Sequence, residues 1–214
     1  MKIGLLADSA GDIGALDRGT ELLLGKGAER LFFLGGRYPD VDEMILQRRS
    51  RRRGSRDYSD ADFVDDVAAF LGAAQGGTRA RLAGADEEDK LRSRFSRVPC
   101  KDSLEYRDPK VPNALVEMVG DLLACLVHDK GDLARDDMVN AVLLFHGKSP
   151  EPGVVQIGPR YFITPGRLTG AAEQCCGLLE LLPAELRFEG FTLDDKKIKA
   201  QQFPRGSRNK TTIT

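Results

Sequence analysis

The sequence predicts an α/β fold, in which buried strands alternate with helices early in the chain and β-hairpins follow in the last third. Lys2 to Ala7 is a short apolar run that ends at Asp8, as expected of a buried parallel strand. Apolar residues then recur at helical spacing from Ile13 to Leu24, and Gly25 and Gly27 suit a left-handed helix cap. Leu31 to Leu34 is the next strand. The loops at the carboxyl ends of such strands carry the sites of open α/β sheets.

The middle of the chain is charged and less regular. Residues 47 to 61 are rich in arginine and have no apolar period, which predicts an exposed loop. Ser59 with Asp62 resembles a capping box for an amphipathic helix over 63–74, and a charged helix is expected over 85–94. Phe95 to Pro99 has the composition of a strand. The apolar positions of Asn113 to Asp129 fit a helix, but Gly120-Asp121 at the centre also suits a hairpin turn.

The last third predicts strands and tight turns. Ala141 to Phe145 is apolar and ends at His146-Gly147, and Gly158-Pro159 separates two strand-like runs. Asp194-Asp195 separates two more. We expect one domain over residues 1–204 with an arginine-rich insertion at about 47–61, and a polar, disordered tail over 205–214.

The composition excludes several classes of function. The net charge is −1 and aromatic residues make up 7% of the chain with no Trp, so neither a global field nor base stacking favours nucleic acid. No apolar run reaches the length of a membrane span, and Met1 to Leu6 lacks the sections of a signal peptide, which predicts a cytoplasmic protein. The four cysteines have no zinc spacing, and a disulfide framework is not expected.

Several segments resemble, in order and spacing, the motifs of the calcineurin-like metallophosphoesterases, in particular the small bacterial branch. The segments that carry the resemblance are Asp8-Ser9-Ala10-Gly11-Asp12, Leu34-Gly35-Gly36, Val98-Pro99-Cys100-Lys101-Asp102, Leu126-Val127-His128-Asp129, Phe145-His146-Gly147-Lys148-Ser149-Pro150 and Ile163-Thr164-Pro165-Gly166-Arg167. The resemblance implies a two-sheet β-sandwich flanked by helices, the four-layer α/β/β/α arrangement of that family. It also makes Asn113 to Asp129 strand, turn, strand, and makes Gln174 to Leu181 a strand.

The resemblance further implies a two-metal site of Asp, Asn and His ligands, and this sequence departs from it. Asp8 and His128 keep two ligand types, whereas Ala10 stands where the first-motif His belongs and Gly36 where the bridging Asp belongs. The Asn expected near Lys101 is missing. Gly147 matches the last motif's Gly, which puts Lys148 and Pro150 at the two His positions, with His146 on the other side of the Gly. A two-metal reaction needs most of its ligands, so we expect no metal cofactor. If a metal binds, Asp8 and His128 would hold it.

The surviving residues allow several interpretations. Asp8, Asp12, His128 and His146 are vestigial catalytic candidates, although Asp8 also suits the cap of the helix near Asp12 or Ile13. A second hypothesis is that cations replace the charge of the metals and bind an anion such as phosphate or a nucleotide, the candidates being Lys101, Lys148 and Arg167. Alternatively these cations pair with Asp8, Asp12 or Asp129.

Three functions follow from these interpretations. The first is a non-catalytic scaffold or regulatory protein that binds a protein partner, with a basic surface formed by Arg48, Arg49, Arg51, Arg52 and Arg53. The second is a phosphodiesterase or phosphatase with a rearranged site that uses manganese or another divalent metal. The third is a phosphate or nucleotide sensor. The arginines also allow a purely local pairing with the aspartates of 57–66.

Overall fold

The computed structural model describes residues 1–37, 39–55, 87–98 and 113–205, and all their side chains except those of 52–55, 137 and 138. The predicted helix over 63–74 with its capping box, Lys101, and the tail beyond Arg205 lie outside the described residues. Among the described residues, no helix is long and apolar enough to span a membrane.

The strands described by the structure form two sheets, as the resemblance implied. The first sheet has the order β11-β10-β9-β1-β2-β3 and the second the order β4-β5-β6-β8-β7. In the first, β1 is parallel to β2, and in the second, β5, β6 and β8 are parallel, so each sheet has strands with neighbouring carboxyl ends. The strands are β1 Lys2–Leu6, β2 Arg30–Phe33, β3 Phe95–Arg97, β4 Ala114–Val119, β5 Leu122–Val127, β6 Leu143–His146, β7 Pro152–Ile157, β8 Arg160–Pro165, β9 Cys175–Leu181, β10 Glu185–Thr192 and β11 Lys197–Pro204.

The hairpins and the ambiguous apolar segment follow the predictions. β4 and β5 pair in antiparallel fashion around Gly120, whose φ of 64° is favourable for glycine. The segment therefore forms a hairpin and not the helix that its apolar spacing also allowed. The turns at Gly158 and Asp195 join β7 to β8 and β10 to β11. Cys175 to Leu181 is a strand, and both Cys175 and Cys176 are buried because this strand is covered on both faces.

The described helices are α1 Ile13–Gly25, α2 Asp40–Ser55, α3 Glu87–Arg94 and α4 Arg135–Asn140. Asp12 is the N-cap of α1, because its Oδ1 accepts a hydrogen bond from the Ala15 amide at 2.8 Å. Gly27, with a φ of 86°, follows the end of the helix as predicted. The loop expected from residue 47 is wrong as far as Ser55. There α2 continues, anchored by the buried Val41, Met44 and Ile45 in its first turns.

The apolar residues form one core between the sheets and a second between the first sheet and the helices. The inner core contains Phe32 and Phe145, whose rings meet edge to face at 5.4 Å. The outer core packs Leu16 and Leu23 of α1 and Met44 of α2 on the first sheet. A smaller cluster on the outer face of the second sheet contains Cys125, Val127 and Leu144. Helix, sheet, sheet is therefore the layer order that the described residues establish.

A side chain of the first sheet joins the edge of the second. The Val154 amide of β7 donates to Gln201 Oε1 at 2.9 Å, and Gln201 Nε2 donates to the Val154 carbonyl at 3.2 Å. Gln201 belongs to β11, so its amide takes the place of a neighbouring strand at this point. At Val154, the edge backbone of β7 is thereby satisfied without another strand.

Candidate functional site: a cleft at the carboxyl ends of both sheets

A cleft of about 400 Å³ lies where the loops after β1, β2, β5, β6 and β8 meet. These strands place their carboxyl ends at the same side of the sandwich, which is why their loops converge. The lining residues are Asp8, Ala10, Gly36, Arg37, His128, Lys148, Arg167, Thr169 and Gly170. The cleft therefore brings together Asp8, His128, Lys148 and Arg167 of the predicted site residues. It does not include Asp12 or His146.

Asp8 is at the centre of the cleft and is paired with two basic side chains. Its Oδ2 lies 3.1 Å from Arg167 Nε and its Oδ1 lies 3.6 Å from His128 Nδ1. The N–H of Arg167 Nε makes no hydrogen bond to any described residue, so the contact with Asp8 is an ion pair set by distance and not by direction. The interpretation of Asp8 as the cap of α1 is wrong, because Asp12 takes that position.

His128 is held by the backbone of the neighbouring sheet. Its Nδ1 lies 2.9 Å from the carbonyl oxygen of Leu34, and since a carbonyl only accepts, Nδ1 carries the proton. On the far side of the ring, Nε2 is 3.1 Å from the position that a Cβ at Gly36 would take. The imidazole ring thus fills the space beside the missing side chain of residue 36.

Asp40 organises the first loop, which is the loop between β1 and α1, and the sequence analysis missed this residue. Its carboxylate is fully buried and accepts hydrogen bonds from Ser9 Oγ at 2.6 Å, the Gly11 amide at 3.0 Å and Arg37 Nε at 2.9 Å. The hydrogen bond to Asp40 raises the pKa of Arg37. An acidic residue in the first turn of a helix after a Gly-Gly pair is the only signal in the sequence, and it does not reveal a partner 31 residues away.

The first loop has an unusual backbone. Asp8 and Ala10 have φ angles of 47° and 48°, and Gly11 has a φ of 87°. The left-handed region costs a residue with a Cβ on the order of 1–2 kcal/mol, so Ala10 is strained. The two hydrogen bonds from Ser9 and Gly11 to Asp40 hold the loop in this conformation.

Lys148 is at the open side of the cleft and pairs with Asp129. Its Nζ lies 2.9 Å from Asp129 Oδ2, and this hydrogen bond raises the pKa of Lys148. The pKa of Asp129 is lowered, first by the hydrogen bond from the Gly131 amide and then by Lys148. Lys148 and Arg167 therefore pair with aspartates of this chain, which is the alternative that the sequence analysis set beside anion binding.

His146 lies on the other face of its strand. Phe145 points into the inner core, so His146 at the next position faces the outer side of the second sheet, where it is 9% exposed. Burial lowers the pKa of His146, and among the described residues its Nδ1 has no hydrogen-bond partner. The next residue, Gly147, has no room for a side chain, because a Cβ there would overlap the carbonyl oxygen of Leu34.

The arginines of α2 are tied to neighbouring helices. Arg48 pairs with Asp17 at 2.5 Å and with Glu21 at 2.6 Å, both on α1. Arg51 also reaches Asp17, at 2.9 Å, and Arg49 reaches Asp89 of α3 at 2.6 Å. Arg51 remains 61% exposed, whereas the side chains of Arg52 and Arg53 lie outside the described ones. The aspartates of 57–66, the pairing partners expected from sequence, lie outside the described residues.

The residues of the cleft do not fit a metal centre. Within the described ranges, no group of three or more His, Cys, Asp or Glu side chains is arranged to hold an ion. Among the described lining residues, the donor set is one carboxylate, already paired with Arg167, and one imidazole, whose Nδ1 is bonded to Leu34 and which has Nε2 left. A two-metal phosphoesterase centre needs bridging and terminal ligands that this set cannot supply.

Comparisons with known proteins give a fold but no sequence family. No family model and no curated protein matches the sequence. A predicted phosphoesterase from Streptococcus pneumoniae is similar in structure, with a TM-score of 0.55 and 14% identity over 95% of this chain and 97% of that one. The phosphoesterase YfcE of E. coli gives 0.54 and 17% over 94% and 98%. A double mutant of Vps29 from Entamoeba histolytica gives 0.51 and 13% over 95% and 99%. The fold of this chain is accordingly that of the calcineurin-like metallophosphoesterases.

Proposed function

We propose that this chain is a non-catalytic protein of the metallophosphoesterase fold that acts as a scaffold or regulatory protein by binding a protein partner. The observation that carries the proposal is the state of Asp8, the remaining carboxylate in the lining of the cleft. Its charge is balanced by Arg167 at 3.1 Å, while His128 is bonded to the Leu34 carbonyl. Asp8 is therefore already neutralised, and His128 keeps only Nε2, which lies beside the missing side chain of Gly36. Folds persist when their sites are lost, so the fold itself grants no activity.

A rearranged metal-dependent site receives no support from the geometry. Such a site would need Asp12 and His146 beside Asp8 and His128. Asp12 caps α1, and His146 faces the outer side of the second sheet, so neither lines the cleft.

The first experiment measures metal content and hydrolysis on the same sample. Purified protein is incubated with manganese, desalted and submitted to elemental analysis, and its phosphodiesterase activity is assayed with bis-p-nitrophenyl phosphate. We expect substoichiometric metal and no turnover above buffer. One or two tightly held ions per chain with turnover would contradict the proposal.

The partner surface that we propose includes the exposed side of α2. Arg48, Arg49 and Arg51 all pair with carboxylates of this chain, and Arg51 has the largest exposed fraction of the three, at 61%. A basic helix of this kind suits an acidic protein surface. Affinity purification from the source cell should recover a partner with the wild type, lose it with Arg51→Glu, and keep it with Arg187→Glu, a control on β10. If both variants recovered the partner equally well, α2 would not belong to the partner surface.

An anion sensor is the second candidate function, and Arg37 favours it. This residue, 60% exposed, joins Lys148 and Arg167 in the lining of the cleft, where the three cations pair with Asp40, Asp129 and Asp8 and would exchange these partners for an anion. Lys101, the third cation predicted from sequence, stays a prediction. A rise in melting temperature with phosphate or a nucleotide would support the sensor, because a ligand of the folded state stabilises it. The cytoplasmic location also stays a prediction.

A further inference from the structure

We infer that Arg167 is a built-in counter-cation for Asp8. Its guanidinium pairs with the Asp8 carboxylate in place of a metal ion and keeps divalent cations out of the cleft. The inference rests on the proposed non-catalytic function and gives it a mechanism. It concerns three side chains in the lining of the cleft, Asp8, His128 and Arg167.

The charge of Asp8 requires a partner at this depth. The side chain is 19% exposed, and a largely buried carboxylate without a counter-charge is strongly unfavourable. In a metal site a divalent ion would supply that charge. Here Arg167 supplies it, and a guanidinium keeps its proton at any pH that the protein would meet. A divalent ion that approached Asp8 would first have to displace this cation.

The two donors left in the cleft point away from each other. Asp8 Oδ1 lies beside Nδ1 of His128, the nitrogen whose N–H donates a hydrogen bond to the Leu34 carbonyl. The lone pair of the imidazole is therefore on Nε2, at the opposite side of the ring, next to Gly36. One ion cannot be bound by Asp8 and by this lone pair while the bond to Leu34 remains. Since residue 36 is a glycine, none of the described residues places a carboxylate beside Nε2 to complete a second site.

The backbone fixes Arg167 next to Asp8. The Leu168 amide donates to the Ala7 carbonyl at 2.9 Å, and Thr169 Oγ1 donates to the Asp8 carbonyl at 2.8 Å. These bonds join the loop after β8 to the loop after β1 directly next to the ion pair. Gly166 makes the turn with a φ of 78°, and a Cβ there would overlap Cys175 Sγ. The fold thus holds the backbone of Arg167 beside Asp8.

The chain has two histidines, which makes the test direct. Protein labelled with ¹⁵N at its histidines is titrated with Mn²⁺, and the paramagnetic relaxation of the His128 ring is compared with that of His146. We expect His128 to carry its proton on Nδ1 and to show no site-specific relaxation in the wild type. Arg167→Gln should gain relaxation at His128 beyond that at His146, because Asp8 is then free to take an ion. Arg167→Lys should behave as the wild type.

The controls separate this inference from the proposed function. Arg37→Gln changes a cation of the same cleft that is paired with Asp40 and not with Asp8, and it should leave His128 unaffected by Mn²⁺. Melting curves of each variant show that it is folded. The inference would be overturned if Mn²⁺ relaxed His128 in the wild type as strongly as in Arg167→Gln. It would also be overturned if Arg167→Gln showed no gain in relaxation at His128. Hydrolysis by the wild type without an ion near His128 would instead overturn the proposed function alone.

Discussion

Replacing Asp40 by alanine should destabilise the protein strongly, although this residue is outside the cleft lining. The substitution removes the acceptor of the Ser9 hydroxyl and of the Gly11 amide, at 2.6 and 3.0 Å. Ser9 is buried, and a buried donor left without an acceptor costs about 1–3 kcal/mol, whereas Gly11 is exposed and its amide can donate to water. Arg37 is 60% exposed and returns to water at little cost. For a chain of this size, that loss corresponds to a melting temperature lower by roughly 2 °C or more.

Urea unfolding at pH 7 followed by circular dichroism measures the effect. Glu43→Ala is the matched control, because Glu43 lies in the same first turn of α2, has the same charge and is exposed, and it should change stability by less than about 0.5 kcal/mol. The double variant Ser9→Ala with Asp40→Ala should be less destabilised than the sum of its single variants, since the two side chains share a hydrogen bond. A loss below about 1 kcal/mol in Asp40→Ala would refute the reasoning and would mean that water replaces the carboxylate.

Four further measurements test other parts of the structure. Ala10→Gly should raise the melting temperature by roughly 1–4 °C, because relief of a left-handed alanine exceeds the entropy cost of glycine; Ala172→Gly, in a loop with negative φ, should not. Gly147→Ala should lower stability by about 2 kcal/mol or more in urea unfolding, since its Cβ would meet the Leu34 carbonyl. Because burial lowers the pKa of His146, the folded state resists its proton, so stability should fall as pH drops below the ordinary value of 6.5, and His146→Gln should flatten that slope. Burial raises the pKa of Cys176 to about 12, so iodoacetamide at pH 8 should modify it only after unfolding, as mass spectrometry would show.

The strands and turns were predictable because their signals are local. Gly158-Pro159 and Asp194-Asp195 mark hairpins by residue type alone, and the structure has both. Asn113 to Asp129 was not decided by period, because a run of apolar residues buried in a strand also satisfies helical spacing. There the resemblance to the phosphoesterases gave the correct strand, turn, strand.

The site was predictable only in part, because its contacts join residues far apart in the chain. The carboxyl ends of the strands brought Asp8, His128, Lys148 and Arg167 to one cleft, as their motif positions indicated. The sequence did not reveal that Asp12 caps α1 in place of Asp8, since both stand in the same short turn.

The arginine segment was mistaken for a loop for a related reason. Its helix is stabilised by carboxylates of α1 and α3, and no apolar period within the segment records them. The described part of α2 therefore shows a helix whose second half depends on charges placed elsewhere in the chain.

The contact of Gln201 with Val154 makes one backbone amide a reporter of the whole sandwich. Most strand amides exchange with deuterium when a neighbouring strand frays, but the Val154 amide is protected by a side chain that belongs to the other sheet. Its exchange therefore requires the two sheets to separate at this rim, or Gln201 to leave. Comparing the exchange rate at Val154 with that of amides inside β8 would distinguish sliding of one sheet over the other from unzipping of a single edge strand.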